Sequence, residues 1–259
     1  MLRIYKIIIS ISVIYCAGCS SGNEAKIETI KLYDDNGKLQ YEFETIDSVR
    51  QGKAISYYPD GKIKSKFNFK DDLENGPALS YYPNGKIQKV GIFLNGKENG
   101  ESTFYYENGN INIKCKYYND LIVGNYFEYF EEVNRRIKSV KEFVIIKNKS
   151  HLNSFIKYDI NGKVVDESSR LFFSETKDSL QIGINKTNFE NLRMITGKYD
   201  LFFNQQEKDL DTIKSLNNKF VRIKFHKGDT IRGYIDNYEI LDSQKVISRH
   251  IWFSYPNPW

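Results

Sequence analysis

Residues 52–75 read GKAISYYPDGKIKSKFNFKDDLEN, and the same arrangement returns every 24 positions through the first half of the chain. A glycine opens each block, at Gly52, Gly76, Gly100 and Gly124. Five residues later comes an aromatic pair, at Tyr57-Tyr58, Tyr81-Tyr82, Tyr105-Tyr106 and Tyr129-Phe130. A repeat of this length indicates a stacked array, in which each unit buries its apolar face against its neighbours.

Each block is predicted to be a β-hairpin with a three-residue turn. In Pro59-Asp60-Gly61, proline presets the first turn position and glycine supplies the positive φ of the third. This loop length places Tyr58 opposite Lys62 and Tyr57 opposite Ile63. Equivalent turns follow the next two aromatic pairs, and Asn36-Gly37 after Tyr33 fits the same frame one unit earlier.

The pattern predicts a half-buried antiparallel sheet, because apolar and polar residues alternate along both strands of the hairpin. The expected apolar face carries Ile55, Tyr57, Ile63, Phe67 and Phe69. The expected polar face carries Ala54, Ser56, Tyr58, Lys62, Lys64 and Lys66. We expect the same division in the following units, with Leu79, Tyr81, Ile87 and Phe93 on the apolar face of the next one.

The pattern G-x4-YY-x-NGK, closed by N-G-x3-G from Asn95 to Gly100, resembles the variant form of the MORN repeat. The resemblance extends from Glu28 to about Lys147 and recurs in register. It implies hairpins stacked side by side into an elongated sheet, and it implies the antitoxin-like label that bacterial proteins with this variant often carry. The last units are degenerate, since Glu131-Glu132-Val133-Asn134 replaces one turn and an irregular stretch covers 146–154. Residues 158–163 resemble the turn segment of the repeat once more. We therefore assign 28–168 to the array.

The N-terminus is predicted to be an export signal, residues 1–18. Arg3 and Lys6 precede an apolar run that is too short to span a bilayer as a mature helix. Ala17-Gly18-Cys19 follows and resembles the lipobox of bacterial lipoproteins, although Cys16 stands where an aliphatic residue is usual. The resemblance implies cleavage before Cys19 and its acylation, with membrane lipid as the partner of that cysteine. An ordinary secretory signal and an uncleaved anchor are the alternatives.

A lipidated Cys19 implies a cell-envelope location, which we expect to be the outer membrane. Residues 19–27 are predicted to be a short tether because they are mostly small and polar. Of three cysteines, Cys115 is then the only one left in the fold, where we expect a small core residue. The net charge of +5 does not favour nucleic acid as a partner.

The period is lost from about Arg170, and 169–259 is predicted to be a small β-sandwich-like domain of immunoglobulin type. Predicted strands lie at 171–173, 180–184, 198–203, 220–225, 230–235 and 246–255. His226-Lys227-Gly228-Asp229 is expected to be a hairpin turn. Residues 205–216 fit either a helix or a long loop. The fold class as a whole is mainly β.

The candidate binding surface lies on the expected polar face of the array. Tyr58, Tyr82, Tyr106 and Phe130 are expected to form an aromatic column, with Lys62 and Lys86 beside it. Rings flanked by amines can bind sugars, acidic headgroups or a partner protein. The alternative is structural, because cross-strand aromatic pairs also stabilise sheets.

No arrangement of residues predicts catalysis, a metal site or a cofactor. His151, His226 and His250 are scattered, and no Gly-rich phosphate loop opens a helix. The leading hypothesis is a non-enzymatic scaffold that binds a protein or an envelope polymer. Two alternatives remain: an antitoxin-like immunity protein, implied by the family label, and an enzyme with a polar site in 170–259.

Overall fold

The computed structural model describes residues 27–168, 170–175, 179–184, 191–197, 203, 211–214, 220–224, 230–241 and 244–255. Every regular element in this part of the chain is a β-strand, which confirms the mainly β class. The chain divides into two compact units, Met1–Asp120 with Tyr129–Arg135 and Leu121–Glu128 with Arg136–Trp259. The predicted signal and Cys19 lie outside the described residues.

The first unit contains an antiparallel sheet of stacked hairpins, as the repeat predicts. Its strands are β1 (Ile27–Tyr33), β2 (Leu39–Ile46), β3 (Val49–Tyr57), β4 (Ile63–Lys70), β5 (Leu73–Glu74), β6 (Gly76–Tyr81), β7 (Ile87–Leu94), β8 (Lys97–Glu98), β9 (Gly100–Tyr105) and β10 (Ile111–Tyr118). They are hydrogen-bonded in the order β1-β2-β3-β4-β6-β7-β9-β10, and the short β5 and β8 pair with β4 and β7. Strand order therefore follows chain order, as in a ribbon of hairpins.

The three-residue turns form as predicted. The Tyr58 amide donates to the Lys62 carbonyl at 2.8 Å, and the Gly61 amide donates back to the Tyr58 carbonyl at 2.9 Å. Gly61 has a φ of 87°, which is the left-handed conformation that this loop requires. The same pair of hydrogen bonds closes the turns at 34–38, 82–86 and 106–110.

The opposite ends of the hairpins carry two-residue turns in which both residues have positive φ. Asp71 and Asp72 have φ values of 52° and 64°, and Asn95 and Gly96 have values of 52° and 78°. This is the signature of a type I′ turn, whose twist matches that of the flanking strands. Asp and Asn tolerate this conformation because their side chains are short and polar.

A β-bulge in each hairpin makes the predicted division of faces wrong. Next to the turn Tyr57 pairs with Ile63 as predicted, but the pairing then skips Lys64 and places Ser56 opposite Ser65. Beyond this extra residue, Ala54 pairs with Phe67 and Ile55 with Lys66. The physical reason is that one inserted residue exchanges the faces of everything after it.

The next two hairpins repeat this bulge. Their pairing skips Gln88 and Asn112, which occupy the same position in the 24-residue block as Lys64. One side of the sheet, which we name the aromatic face, therefore carries the following cross-strand pairs: Ala54 with Phe67, Gly52 with Phe69, Ala78 with Gly91, Gly76 with Phe93, Ser102 with Cys115 and Gly100 with Tyr117. Ala54, Phe69, Gly91, Ser102 and Cys115 are buried there.

The second unit begins with four further strands in the order β11-β12-β13-β14. They are β11 (Leu121–Tyr129), β12 (Ile137–Ile146), β13 (Lys149–Tyr158) and β14 (Val164–Glu167). The repeat-like segment at 158–163 forms the three-residue turn, in which the Asp159 amide donates to the Lys163 carbonyl at 2.8 Å. The expected irregular stretch at 146–154 is wrong, because β12 and β13 form a hairpin closed by Lys147 and Asn148 at positive φ.

The remaining strands form two small sheets that enclose one apolar core. The strands are β15 (Leu171–Glu175), β16 (Ser179–Ile184), β17 (Asn191–Gly197), β18 (Asp211–Lys214), β19 (Phe220–Lys224), β20 (Ile231–Leu241) and β21 (Gln244–Tyr255). The sheet orders are β15-β16-β19 and β18-β17-β20-β21. Both sheets supply core residues, among them Leu180 and Ile182 from the first, and Met194, Ile235 and Ile251 from the second. Among the described residues, the two sheets thus pack on a shared core, which is the arrangement of a β-sandwich.

Three details of this domain differ from the sequence-based expectations. β19 pairs with β16 and β20 pairs with β17 and β21, so the expected hairpin across 226–229 is wrong: its two strands lie in different sheets. The helix alternative is wrong at 211–214, which is strand β18, and β17 was not predicted at all. The predicted strand at 198–203 lies outside the described residues except for Phe203.

Replacing Gly85 by valine is expected to lower the free energy of unfolding by about 1–2 kcal/mol, because Gly85 has a φ of 84°. No atom lies within 4 Å of an added Cβ, so backbone strain alone accounts for the cost. Gly85→Asn is the matched control, since asparagine tolerates this conformation. Thermal melting followed by circular dichroism measures both variants; equal melting temperatures would contradict the turn geometry.

Candidate binding surface

Three of the four predicted column residues contact the following hairpin through their hydroxyl groups. Tyr58 donates to the Tyr81 carbonyl at 2.6 Å, Tyr82 to the Tyr105 carbonyl at 2.6 Å, and Tyr106 to the Tyr129 carbonyl at 2.9 Å. All three side chains are half-buried. Phe130, the fourth predicted member, has no hydroxyl and cannot continue the series.

Burial raises the pKa of Tyr82, and the nearby Glu107, Glu131 and Tyr58 raise it further. The phenol therefore stays protonated at neutral pH and remains a hydrogen-bond donor.

The predicted lysines make the same kind of connection between turns. The Lys62 ammonium donates to the Pro83 carbonyl at 2.9 Å, and the Lys86 ammonium donates to the Asn108 carbonyl at 2.9 Å. Lys38 repeats the contact one unit earlier, at the Pro59 carbonyl. Lys62 also lies 3.1 Å from the Asp60 carboxylate and keeps 58% of its side chain exposed.

The tyrosines and lysines thus have a structural role, while the tyrosine side chains stay partly exposed and the lysine side chains exposed. Every tyrosine hydroxyl in the series is already used within the sheet, so an external ligand would meet ring surface and ammonium groups. Such a surface can contact acidic or carbohydrate groups. Its binding role stays a prediction.

The type I′ turns connect the hairpins at their other ends. Arg50 donates through its backbone amide and its Nε to the Asp72 carboxylate, at 3.0 and 2.9 Å. The Arg50 side chain also lies 4.2 Å from the Phe69 ring centroid. One repeat on, the Gly96 amide donates to the Glu74 carbonyl, and in the next the Glu98 amide donates to the Asp120 carboxylate. Hydrogen bonds from Arg50 hold the pKa of Asp72 below its usual range.

A cleft of about 190 Å³ opens on the aromatic face, and we name it the Glu74 cleft. Its floor contains Ala78 and Gly91, where two small residues pair across the sheet and leave space. Its remaining lining is Ser65, Phe67, Glu74, Leu79, Ser80, Lys89 and Phe93. Burial raises the pKa of Glu74, while the charge of Arg50 lowers it and that of Asp120 raises it.

Beside this cleft lies a fully paired polar cluster. The Lys89 ammonium donates to the Glu98 carboxylate at 2.7 Å, and the Ser102 hydroxyl donates to the other Glu98 oxygen. A Cβ on Gly91 would stand 3.0 Å from the Ser102 hydroxyl, so a larger residue there would press on the cluster. Cys115 is buried opposite Ser102, as expected for a small core residue, and burial raises the pKa of its thiol to about 11.

The second unit contains a cavity of about 240 Å³ next to strands β12 and β13. Glu142 accepts hydrogen bonds there from Asn153 and Ser154, both at 2.9 Å. Asn153 is the bulged residue of β13, and its amide also exchanges two hydrogen bonds with the backbone of Trp252. The carboxylate of the cavity is therefore part of the contact between β13 and the sandwich.

Within the described parts of the chain, no group of three or more His, Cys, Asp and Glu side chains could hold a metal ion. His151 is exposed on β13, and the His250 ring stacks on Tyr234 with centroids 4.6 Å apart. His226 lies outside the described residues. No helix long and apolar enough to cross a membrane is found among the residues that the structure describes.

The Glu74 cleft was not found from the sequence, because the face division assumed no bulge. Only the small residues Ala78 and Gly91 in otherwise apolar strands could have signalled open space, and their pairing depends on the bulge at Gln88. The tyrosine and lysine rows were found because the turn beside them fixes their position locally.

Comparison with known families supports the repeat assignment. Four segments match the family described as MORN repeat variant: 29–47, 50–71, 74–95 and 98–120. The gaps between them fall in or beside the type I′ turns, so each matched segment is one hairpin around a three-residue turn. Proteins of this repeat family are generally non-enzymatic, and the repeats suggest a scaffold that binds. No curated protein matches the chain.

Replacing Tyr82 by phenylalanine is expected to lower the free energy of unfolding by about 0.5–1.5 kcal/mol, because one inter-hairpin hydrogen bond is lost. Tyr105→Phe is the matched control: this neighbouring half-buried tyrosine accepts that bond through its carbonyl, and its own hydroxyl donates to no described residue. Urea denaturation compares the two variants. Equal losses of stability would show that the Tyr82 hydroxyl does not hold the hairpins together.

Proposed function

We propose that the protein is a lipid-anchored envelope protein whose repeat array is a non-enzymatic scaffold for a protein or an envelope polymer. The observation that carries this proposal is the alignment of equivalent side chains in rows. Tyr58, Tyr82 and Tyr106 each make the same contact with the following hairpin, so their rings stand one repeat apart. An extended partner can touch such a row at several points, and linked contacts raise the overall affinity.

Exposed apolar side chains add to the surface available for a partner. Leu73, Ile87, Ile92 and Leu94 are each between 38% and 50% exposed, and all belong to neighbouring strands of the middle repeat. Ile92 and Leu94 are two residues apart on β7 and therefore lie on the same side of the sheet, where neighbouring exposed apolar groups can mark an interaction site. The proposal therefore places the partner along the array.

The membrane anchor of the proposal rests on Ala17-Gly18-Cys19 after a charged start and an apolar run. Several acyl chains on Cys19 would hold the protein firmly at a bilayer. The residues that follow are small and polar, so they would serve as a tether between the lipid and strand β1.

Replacing Cys19 by alanine is expected to move the protein from the membrane fraction to the soluble fraction, because the acylated residue is lost. Cys115→Ala is the matched control, since that thiol is buried in the fold. Fractionation and intact mass of the isolated protein measure the outcome. If Cys19→Ala still carries the added mass of the acyl chains and still fractionates with membranes, lipidation at this residue is excluded.

The double variant Tyr82→Ser/Tyr106→Ser is expected to lose retention of envelope components while its circular dichroism spectrum stays the same. The serines remove the aromatic rings that a partner would contact. The matched control Tyr82→Phe/Tyr106→Phe keeps the rings and should keep retention. Immobilised mature protein and solubilised native envelopes provide the assay. If the serine variant retains as much envelope material as the wild type, the tyrosine rings stabilise the sheet and do not bind a partner.

A further inference from the structure

Two successive hairpins carry different residues at one position of the repeat, Lys89 in the later hairpin and Ser65 in the earlier one. In the later hairpin, the Lys89 ammonium lies on the aromatic face in a site formed by one carboxylate and two rings, which we name the amine slot. This ammonium is 2.7 Å from the Glu98 carboxylate, 4.8 Å from the Phe104 ring centroid and 5.5 Å from the Tyr117 ring centroid. A carboxylate and aromatic faces are the groups that stabilise a desolvated ammonium.

The slot one repeat earlier keeps the carboxylate and one ring but has serine at the position of the lysine. The equivalent residues of the preceding repeat lie 24 positions earlier: Ser65 corresponds to Lys89, Glu74 to Glu98 and Ala78 to Ser102. Phe93 stands for Tyr117, and Ser80 stands for Phe104. All five of these residues line the Glu74 cleft. The cleft is therefore the space that the repeat fills with its own lysine in the following hairpin.

We propose that the Glu74 cleft binds the lysine side chain of a partner protein. The ammonium would meet the Glu74 carboxylate, and the methylene chain would lie between Phe67 and Phe93. The hydroxyl oxygens of Ser65 and Ser80 are further acceptors for its N–H groups. This inference deepens the proposed binding role and rests on it for the identity of the partner as a protein.

Size and charge favour a single lysine side chain over a larger ligand. The cleft holds about 190 Å³, whereas pockets for small molecules begin at roughly 300 Å³. Arg50, whose charge acts on Glu74, already donates to Asp72, and Lys89, which lines the cleft, already donates to Glu98. A half-buried carboxylate is stabilised when an external cation reaches it.

The first experiment titrates the full chain with n-butylammonium chloride and follows backbone amide resonances by NMR. Shifts are expected at Ser65, Ala78 and Gly91, and 1-pentanol, which has a similar chain and no charge, should not produce them. Glu74→Gln should weaken binding by about tenfold or more, because the charge-assisted hydrogen bond is lost. Glu101→Gln, at an exposed carboxylate of β9, is the matched control and should bind like the wild type.

A second variant fills the cleft from within. Ser65→Lys installs the lysine of the following repeat, so it should abolish n-butylammonium binding and raise the melting temperature. Absence of saturable shifts in the wild type, or equal binding by wild type and Glu74→Gln, would overturn the proposal. So would unchanged binding by a folded Ser65→Lys protein.

The source of the amine is tested with envelope proteins. Native extracts are treated with acetic anhydride, which acetylates lysines, and are then passed over immobilised wild-type protein. Retention should fall sharply after acetylation and in Ser65→Lys. Retention that is insensitive to both would overturn the partner lysine even if n-butylammonium binds. If the wild-type protein retains nothing from untreated extracts, that result counts against the scaffold role. The n-butylammonium titration tests the cleft independently of that role.

Discussion

Hydrogen bonds between successive hairpins are the interactions on which the array depends. A sheet one layer thick buries few side chains completely, and Ala54, Phe69 and Cys115 are the buried apolar ones described in the first unit. Each hairpin is instead joined to the next at both ends. Tyrosine hydroxyls and lysine amines make the contacts at the three-residue turns, and backbone amides and carboxylates make them at the type I′ turns. Because these contacts recur every 24 residues, they hold the hairpins in one common register.

The bulge beside each three-residue turn determines what the two faces of the sheet present. It moves Phe67 to the side of Ala54 and moves Lys66 to the side of Ile55. One face thereby gathers aromatic rings with the small residues Ala78 and Gly91 between them, and these small residues open the Glu74 cleft. A simple alternation of residues would have produced a uniform apolar layer and no cleft. The candidate site is thus a consequence of one extra residue per hairpin.

The Glu74 cleft lies where one repeat departs from its neighbours. The common framework supplies identical backbone positions, so a change of side chain alters a site without disturbing the fold. Lys89 and Ser65 occupy equivalent positions, yet one completes a polar cluster and the other leaves a cleft. The second unit follows a different principle. There the bulged Asn153 extends its amide to the backbone of Trp252, so a residue of β13 takes part in the packing of the sandwich.

The sequence by itself determined the 24-residue period, the three-residue turns and the pairing next to them. These features depend on Pro, Asp, Asn and Gly acting within a few residues, so they are readable locally. The tyrosine and lysine rows follow from the same turns. Only the tertiary structure decided which residues share a face beyond the bulge, where the cleft lies, and that β19 and β20 join different sheets. These outcomes depend on strand pairing between residues far apart in the chain, and its register follows from all the contacts that the strands make together.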